Sequence, residues 1–303
     1  MGPGPARRVR RLPRRPLDVI TTWPARTTWD DFIKPGEAYT AFTGKPYTVV
    51  YGIPPIPEGD SSATMAGCGA GSYNDKWTTF GRTMLSTGQG SSIIRLGWEM
   101  NGYWYRWGGE QSGANAAKHA AEYKACFRQI VSTVRKVAPD LKFDWSVNRG
   151  RSEGIPETAD VLAAYPGDDV VDIVGIDSYD SWVDWNSQLN GTQGLKYWLD
   201  FAVAHGKKLS VPEWGVFTTA RGGHGDQPTY IQSMYDFFKA NASNLAYESY
   251  FSNETDDGAN SLWNPVQMPN SSVKYQALWS APAPTPTPTT PAPTTTTPPA
   301  STT

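Results

Sequence analysis

The fold class is decided by residues 91–147, which contain SSIIRLGWEM (91–100), AAKHAAEYKACFRQIVSTVRKV (116–137) and LKFDWSV (141–147). The first and last of these are short apolar runs with β-branched residues, the pattern of a buried strand. The middle one is helical, because apolar residues recur every three or four positions, at Tyr123, Phe127, Ile130, Val134 and Val137. A strand, a helix and a strand in succession predict a βαβ unit with parallel strands.

The same alternation extends in both directions from this unit. Strands are predicted at 17–22, 47–52, 92–98, 142–147, 171–176, 208–211 and 246–251, and helices at 74–87, 114–137, 193–205 and 227–240. This order predicts an α/β fold of the (β/α)8 TIM-barrel type, which has eight strands. Only seven strands are visible, so we expect the first strand to be missing or altered and number the visible ones two to eight. No glycine-rich phosphate loop follows the first visible strand, which disfavours a dinucleotide-binding sheet.

Three segments differ in composition. Residues 1–16 carry six arginines and no acidic residue, and no apolar stretch follows as it would in a signal peptide; we expect an atypical, disordered arm at an altered N-terminus. Residues 17–280 form the predicted catalytic barrel. Residues 281–303 are almost all Pro, Thr and Ala, which predicts a disordered linker of the kind that joins secreted polysaccharide-degrading enzymes to a carbohydrate-binding module. We therefore expect a secreted protein, with such a module lost beyond the linker.

Charge and composition exclude several classes of partner. The net charge of the whole chain is -2. Without the six arginines of residues 1–16, the rest of the chain has a net charge of -8, which argues against nucleic acid as a partner. No apolar run is long enough to span a membrane. The three histidines are scattered and no paired-cysteine motif occurs, so no metal site is expected. Cys68 and Cys126 form either one disulfide or two buried thiols, and the expected extracellular location favours the disulfide.

Two glutamates lie where barrel enzymes place their catalytic groups, at the C-terminal ends of strands. Glu99 follows the strand in SSIIRLGWEMNGYWYRWGG (91–109), and Glu213 ends the strand in KKLSVPEWGV (207–216). Glycoside hydrolysis needs two carboxyl groups, one protonated and one ionised in retaining enzymes. Glu99 is the predicted acid/base, because neighbouring tryptophans raise a carboxyl pKa by desolvation, and Glu213 is the predicted nucleophile.

Polar and aromatic residues at the same strand ends are candidate substrate contacts. Tyr179, in DIVGIDSYDSWVDW (172–185), is the candidate to hydrogen-bond the nucleophile, and Trp182 or Trp185 is a candidate sugar platform. The remaining candidates are Arg95, Trp98, Asn101, Trp104, Trp107, Trp145, Asn148 and Trp214. Each of these residues, taken singly, could equally be structural.

At RLGWEMNGYWYRWGG, GIDSYD and SVPEWGV the chain resembles glycoside hydrolase family 26, in the clan whose catalytic glutamates lie on strands four and seven. The resemblance extends over most of 17–279. It implies that Glu99 is the acid/base and Glu213 the nucleophile of a retaining enzyme. The family is dominated by endo-β-1,4-mannanases, and other members act on β-1,3-xylan and mixed-linkage glucan. Trp98 departs from the family pattern, which has a sugar-binding histidine at that place.

The sequence therefore predicts a monomeric, cofactor-independent, retaining endo-glycosidase that cleaves a β-linked polysaccharide, with β-1,4-mannan as the preferred substrate. A β-glucanase or β-xylanase of the same fold, and a carbohydrate-binding barrel without catalysis, are the alternatives. A structural surface protein with a Pro/Thr stalk is a further alternative, although it leaves the two strand-end glutamates without a role.

Overall fold

The protein is an α/β barrel that is nearly closed, seen in a computed structural model that describes residues 17–108, 115–150, 161–255 and 259–280. The predictions for the N-terminal arm and the C-terminal linker lie outside these residues. Within them, seven parallel strands pair in chain order. They are β1 (Val19–Thr22), β2 (Thr48–Ile53), β3 (Ile93–Leu96), β4 (Lys142–Asn148), β5 (Ile173–Asp180), β6 (Lys208–Val216) and β7 (Leu245–Tyr250).

A gap separates the two ends of this sheet. In the described part of the chain no strand pairing joins β7 to β1, and a cavity of about 480 Å3 lies between them, lined also by Trp263, Tyr275 and Trp279. All seven predicted strands are present and the gap lies beside the first of them. The expectation that a barrel strand is missing at this point is confirmed for the described residues.

Helices cover the outside of the sheet. They are α1 (Trp29–Ile33), α2 (Glu37–Thr40), α3 (Met65–Gly69), α4 (Asn74–Ser86), α5 (Ala116–Arg135), α6 (Trp185–Asn190), α7 (Leu195–Ala204), α8 (Pro228–Ala240) and α9 (Pro269–Trp279). The four predicted helices correspond to α4, α5, α7 and α8. In α5, Tyr123, Phe127, Ile130 and Val134 are buried, as the helical spacing requires. The other helices are short or lack a clear apolar stripe, so their periodicity gave no signal.

One disulfide ties two of these helices together. Cys68 in α3 and Cys126 in α5 are bonded, so the predicted alternative of a disulfide is confirmed. Among the described residues no helix has both the length and the apolar character needed to cross a membrane.

The ends of β3 and β6, which lie close to the two glutamates in the chain, depart from the prediction, and β5 likewise continues four residues beyond its predicted end, to Asp180. β3 stops at Leu96 because Gly97 has φ +57°, where an added Cβ would also lie 3.1 Å from the Tyr123 ring. β6 instead continues to Val216, through Pro212. Proline has no N–H for the ladder, and the register of β6 shifts around this point against both neighbouring strands. This irregularity precedes Glu213 directly.

Candidate active site

Glu99 lies in a sharply turned segment just beyond β3. Its own φ is +50°, a left-handed conformation that is uncommon outside glycine. The backbone N–H of Glu99 donates to the Ser146 carbonyl of β4 at 3.1 Å, which ties the turned segment to the neighbouring strand. Such strained backbone is found preferentially at functional sites, where the surrounding structure holds it.

Glu99 is 7% exposed, and its carboxyl group has a donor on each oxygen. Asn148 Nδ2 donates to Oε1, and Trp104 Nε1 donates to Oε2 at 3.0 Å. Burial, reinforced by the negative charge of Glu213, raises the pKa of Glu99 from 4.5 to about 8, against the opposing effects of Arg95 and these two donors. At neutral pH the group is therefore protonated, the state that a general acid needs.

Glu213 is equally buried but has different partners. Arg95 Nη1 donates to its Oε1 at 2.6 Å, and Tyr179 OH donates to its Oε2 at 2.8 Å. A guanidinium and a phenol that both donate to a carboxyl group stabilise its ionised form. The predicted hydrogen bond from Tyr179 to Glu213 is confirmed.

The two glutamates face each other across the barrel mouth. One oxygen each of Glu99, Asp177 and Glu213 lie within 4.8 Å of one another. In retaining glycosidases the two catalytic carboxyl groups are about 5–5.5 Å apart, whereas inverting enzymes leave room for a water between more widely spaced groups. The separation here is of the retaining kind.

Arg95 supplies the positive charge of this cluster. Its side chain is fully buried and makes ion pairs with Asp177 and Glu213, while Nε donates to Ser146 Oγ at 3.0 Å. All of these partners are protein groups inside the barrel. The prediction that Arg95 contacts the substrate is therefore wrong; it positions the carboxylate of Glu213 instead.

Asp144 lies in the same barrel interior and was not singled out from the sequence. It accepts hydrogen bonds from Ser210 Oγ at 2.7 Å and from Tyr247 OH, and burial raises its pKa to about 6. An aspartate in the middle of the apolar run KFDWSVN was the available signal, since a buried acid needs polar partners.

Asn101 and Asn148 join the two loops that present Glu99. Asn101 Nδ2 donates to the Asn148 carbonyl, and the Asn148 N–H donates to Asn101 Oδ1, both at 2.8 Å. Because both side-chain groups of Asn101 are used in this pair, it orients Asn148 and, through it, Glu99. Asn148 has the direct contact with the carboxyl group.

Aromatic residues on both sides of Glu99 in the chain pack against one another. Trp98 Nε1 donates to Tyr105 OH at 3.0 Å, Tyr105 stacks on Trp107 with ring centroids 4.4 Å apart, and Trp107 Nε1 donates to the Trp98 carbonyl at 2.8 Å. Trp98 and Trp107 are buried, while Trp104 is half-buried and reaches Glu99. Tyr105, which contacts both Trp98 and Trp107, was not among the predicted residues.

Two of the predicted sugar contacts lie on the outer face of the sheet, away from the two glutamates. Trp145 is fully buried against Tyr165 and Trp198 in the helical layer. Trp214 is fully buried against Trp279 and donates to Glu248 Oε2 at 2.6 Å. Successive side chains of a strand point to opposite faces, so Trp214 turns outward because Glu213 turns inward. The prediction that Trp145 and Trp214 contact the substrate is wrong for this reason.

Trp182 and Trp185 follow β5 but do not contact either glutamate. Trp182 is 51% exposed and Trp185 is half-buried at the start of α6. Both line a separate cleft on the outer side of β5.

The sequence model of glycosyl hydrolase family 26 matches residues 85–212. The predicted resemblance to this family is confirmed over that segment. The match includes Glu99 and ends one residue before Glu213, whose pairing with Glu99 is therefore an independent geometrical observation.

A mannan endo-1,4-β-mannosidase of Bifidobacterium adolescentis is 30% identical over 178 residues, which is 55% of this chain and 17% of that protein. The chain thus spans less than a fifth of that relative. The catalytic domain of an endo-β-1,4-mannanase from Bacillus sp. JAMB-750 superposes with a TM-score of 0.57 at 20% identity, over 84% of this chain and 70% of the other. An endo-β-1,4-mannanase of Cellulomonas fimi gives 0.55 at 20% identity, over 78% and 54%. These two structures share the barrel fold with this chain.

Proposed function

We propose that this protein is a retaining endo-glycosidase that cleaves β-1,4-mannan, with Glu99 as acid/base and Glu213 as nucleophile. The observation that carries the proposal is the pair itself. Two buried carboxyl groups lie at a separation suited to double displacement. The surroundings of Glu99 keep it protonated, whereas Glu213 accepts hydrogen bonds from Arg95 and Tyr179. The choice of mannan rests on the mannanases to which the chain is similar.

In the first step, the Glu213 carboxylate attacks the anomeric carbon of the bound sugar while the bond to the leaving oxygen breaks. Glu99 gives its proton to that oxygen, so the departing chain leaves as a neutral alcohol and Glu99 becomes ionised. Each Glu99 oxygen keeps a lone-pair site beside its hydrogen bond, so either one can carry the proton. The product of this step is a glycosyl ester on Glu213.

In the second step, the ionised Glu99 takes a proton from a water molecule that attacks the anomeric carbon. The ester bond to Glu213 breaks, and both glutamates return to their starting states. Tyr179 and Arg95 donate to Glu213 throughout, so they stabilise it as a leaving carboxylate in this step. Two inversions at the same carbon retain the β configuration.

Reducing-sugar release from a panel of mannan, β-glucan and xylan tests this function. We expect release from one polysaccharide by the parent, loss of at least a thousandfold in Glu213→Ala, and full activity in Glu37→Ala, an exposed glutamate at the start of α2. The panel also decides the sugar, which matters because the buried Trp98 stands where mannanases of the family have a histidine. Folded parent protein that releases nothing from any of the three would refute the proposal.

Trapping identifies the nucleophile directly. A 2-deoxy-2-fluoro glycosyl fluoride of the preferred sugar slows the second step more than it slows the first, so the ester accumulates. We expect the mass of one glycosyl group on the peptide that contains Glu213, and none on the peptide that contains Glu99. Label on Glu99, or an initial product of α configuration, would contradict the assignment.

We further propose that the protein is monomeric and works outside the cell, with the Pro/Thr segment leading to a carbohydrate-binding module. The Cys68–Cys126 disulfide supports this location, since disulfides persist in oxidising compartments. Thiol titration of the denatured, unreduced protein should find no free thiol. Two free thiols would remove this support.

A further inference from the structure

The cleft beside Trp182 is a second concave surface on the same end of the barrel. Its volume is about 700 Å3, within the range of ligand-binding sites. It is lined by Asp180, Trp182, Val183, Asp184, Trp185, Thr219, Gly223, His224, Gln227, Thr229, Tyr230 and Ser233. The hydrogen-bond partners of Glu99 and Glu213 described above do not include any of these residues. Tyr179 points to Glu213 and Asp180, the next residue, points away from it, so the cleft lies on the opposite face of β5.

Trp182 is held in an unusual conformation at the edge of this cleft. Its φ is +66°, where a bulky residue is strained, and yet its indole is 51% exposed. The ring lies against Gly222, where an added Cβ would come within 2.8 Å of it. Burial of this side chain in the core therefore does not account for the strain. Strain of this kind persists where the structure around it supports a function.

The backbone around Trp182 is fixed before any ligand binds. Its N–H donates to the Gly222 carbonyl at 2.9 Å, and Ser181 forms a bridge with Gly223 in the next loop. From beneath, Arg149 Nη2 donates to the Ser181 carbonyl at 3.0 Å. A backbone that is held by three such contacts loses little conformational entropy when a ligand stacks on the side chain it carries.

The polar groups of the cleft suit an uncharged ligand with many hydroxyls. His224 Nδ1 lies 2.8 Å from Asp180 Oδ1, which also accepts from Gln188 Nε2 at 3.2 Å. With Nδ1 used by Asp180, His224 has Nε2 left for a ligand. The described lining contains two carboxylates, Asp180 and Asp184, and no lysine or arginine to offset them, which disfavours a phosphate or a uronate. Hydroxyls of Thr219, Thr229 and Ser233 complete the set.

We propose that this cleft is a non-catalytic binding site for a neutral hexopyranose unit of a polysaccharide, which stacks on Trp182 while the cleft's polar side chains bind its hydroxyls. Trp182 lies three residues beyond Tyr179, no more than about 11 Å along an extended chain. One polysaccharide chain can therefore be held at this site while another part of it occupies the catalytic cleft, which raises the local concentration of substrate. The proposal rests on the proposed function only for the choice of polysaccharides to test.

Affinity electrophoresis through gels that contain mannan, β-glucan or xylan tests the site, in a Glu213→Ala background so that the gel is not digested. Trp182→Gly removes the ring and accepts the positive φ, so the fold is not put at risk. We expect its dissociation constant to rise about tenfold, equal to about 1.4 kcal/mol. Trp182→Tyr keeps a platform and should restore most of the retention. Tyr197→Ala, a partly exposed aromatic on α7 outside the cleft, is the matched control and should migrate like the background protein.

Kinetics with Glu213 intact separates this site from the catalytic one. In Trp182→Gly we expect KM for the polysaccharide to rise, while kcat on a short oligosaccharide stays unchanged. Retention of Trp182→Gly equal to that of the background protein, or no retention of the background protein by any of the three polysaccharides, overturns the proposal. If sugar is released but retention does not depend on Trp182, only this inference falls. If retention depends on Trp182 but no sugar is released, only the catalytic function falls.

Discussion

Replacing Glu99 with glutamine should remove activity and, at the same time, change how stability depends on pH. Burial raises the pKa of the Glu99 carboxyl group from 4.5 to about 8 in the folded protein. A carboxyl group whose pKa is raised by folding binds its proton more tightly in the folded state than in the unfolded state. The unfolded state therefore loses this proton first as pH rises, and stability falls between about pH 4.5 and pH 8.

The size of this effect follows from the same shift. Each pH unit between the two pKa values costs about 1.4 kcal/mol, so the folded protein loses about 3 kcal/mol between pH 5 and pH 7.5 through this group alone. Glutamine cannot ionise and avoids this loss. The NH2 group of the glutamine, however, faces a donor, either Asn148 or Trp104, so one of the two hydrogen bonds that Glu99 accepts is lost. This loss costs about 1 kcal/mol at every pH.

The measurement is urea unfolding of the parent and of Glu99→Gln at pH 5 and pH 7.5. We expect the difference in unfolding free energy between the two proteins to move by about 3 kcal/mol in favour of the variant at the higher pH. Titrating groups that do not interact with Glu99 act equally in both proteins and cancel in this comparison. Parallel pH dependence would show that the folded-state pKa of Glu99 is ordinary, and the acid/base assignment would lose its physical basis. The activity of the parent should decline above a pH of about 8, as the acid form is lost.

Two more predictions concern the support of the site and of the barrel. Tyr179→Phe removes a donor from Glu213, so kcat should fall about 100-fold. An unchanged kcat would show that the hydrogen bond has no catalytic role. Replacing both Cys68 and Cys126 with alanine opens a loop of 58 residues, and the chain-entropy relation for such a loop gives about 4 kcal/mol of lost stability. Denaturant unfolding of oxidised parent and variant measures this, and a loss below about 1 kcal/mol would show that the unfolded chain gains little freedom when the bond is absent.

Local sequence patterns were enough to predict the strands and the longer helices of the barrel. The strands and the longer helices were predictable because burial on one face imposes a period of about 3.6 residues on a helix, and because short apolar runs between turns mark buried strands. Glu99 and Glu213 were predictable as well, since the strand ends of a barrel meet at one mouth wherever the chain reaches them. The hydrogen bond from Tyr179 to Glu213 followed from the same rule.

Only the tertiary structure decided which side chains face the substrate. Arg95 and Glu213 are 118 residues apart in the chain, and nothing local distinguishes an arginine that binds sugar from one that pairs with a carboxylate inside the barrel. The prediction for Trp145 and Trp214 was wrong because aromatic residues are common both in the core and at sugar-binding sites. The protonation of Glu99 was likewise set by distant groups: its burial and the charge of Glu213 exist only once the sheet has curved and brought β3 and β6 to the same mouth.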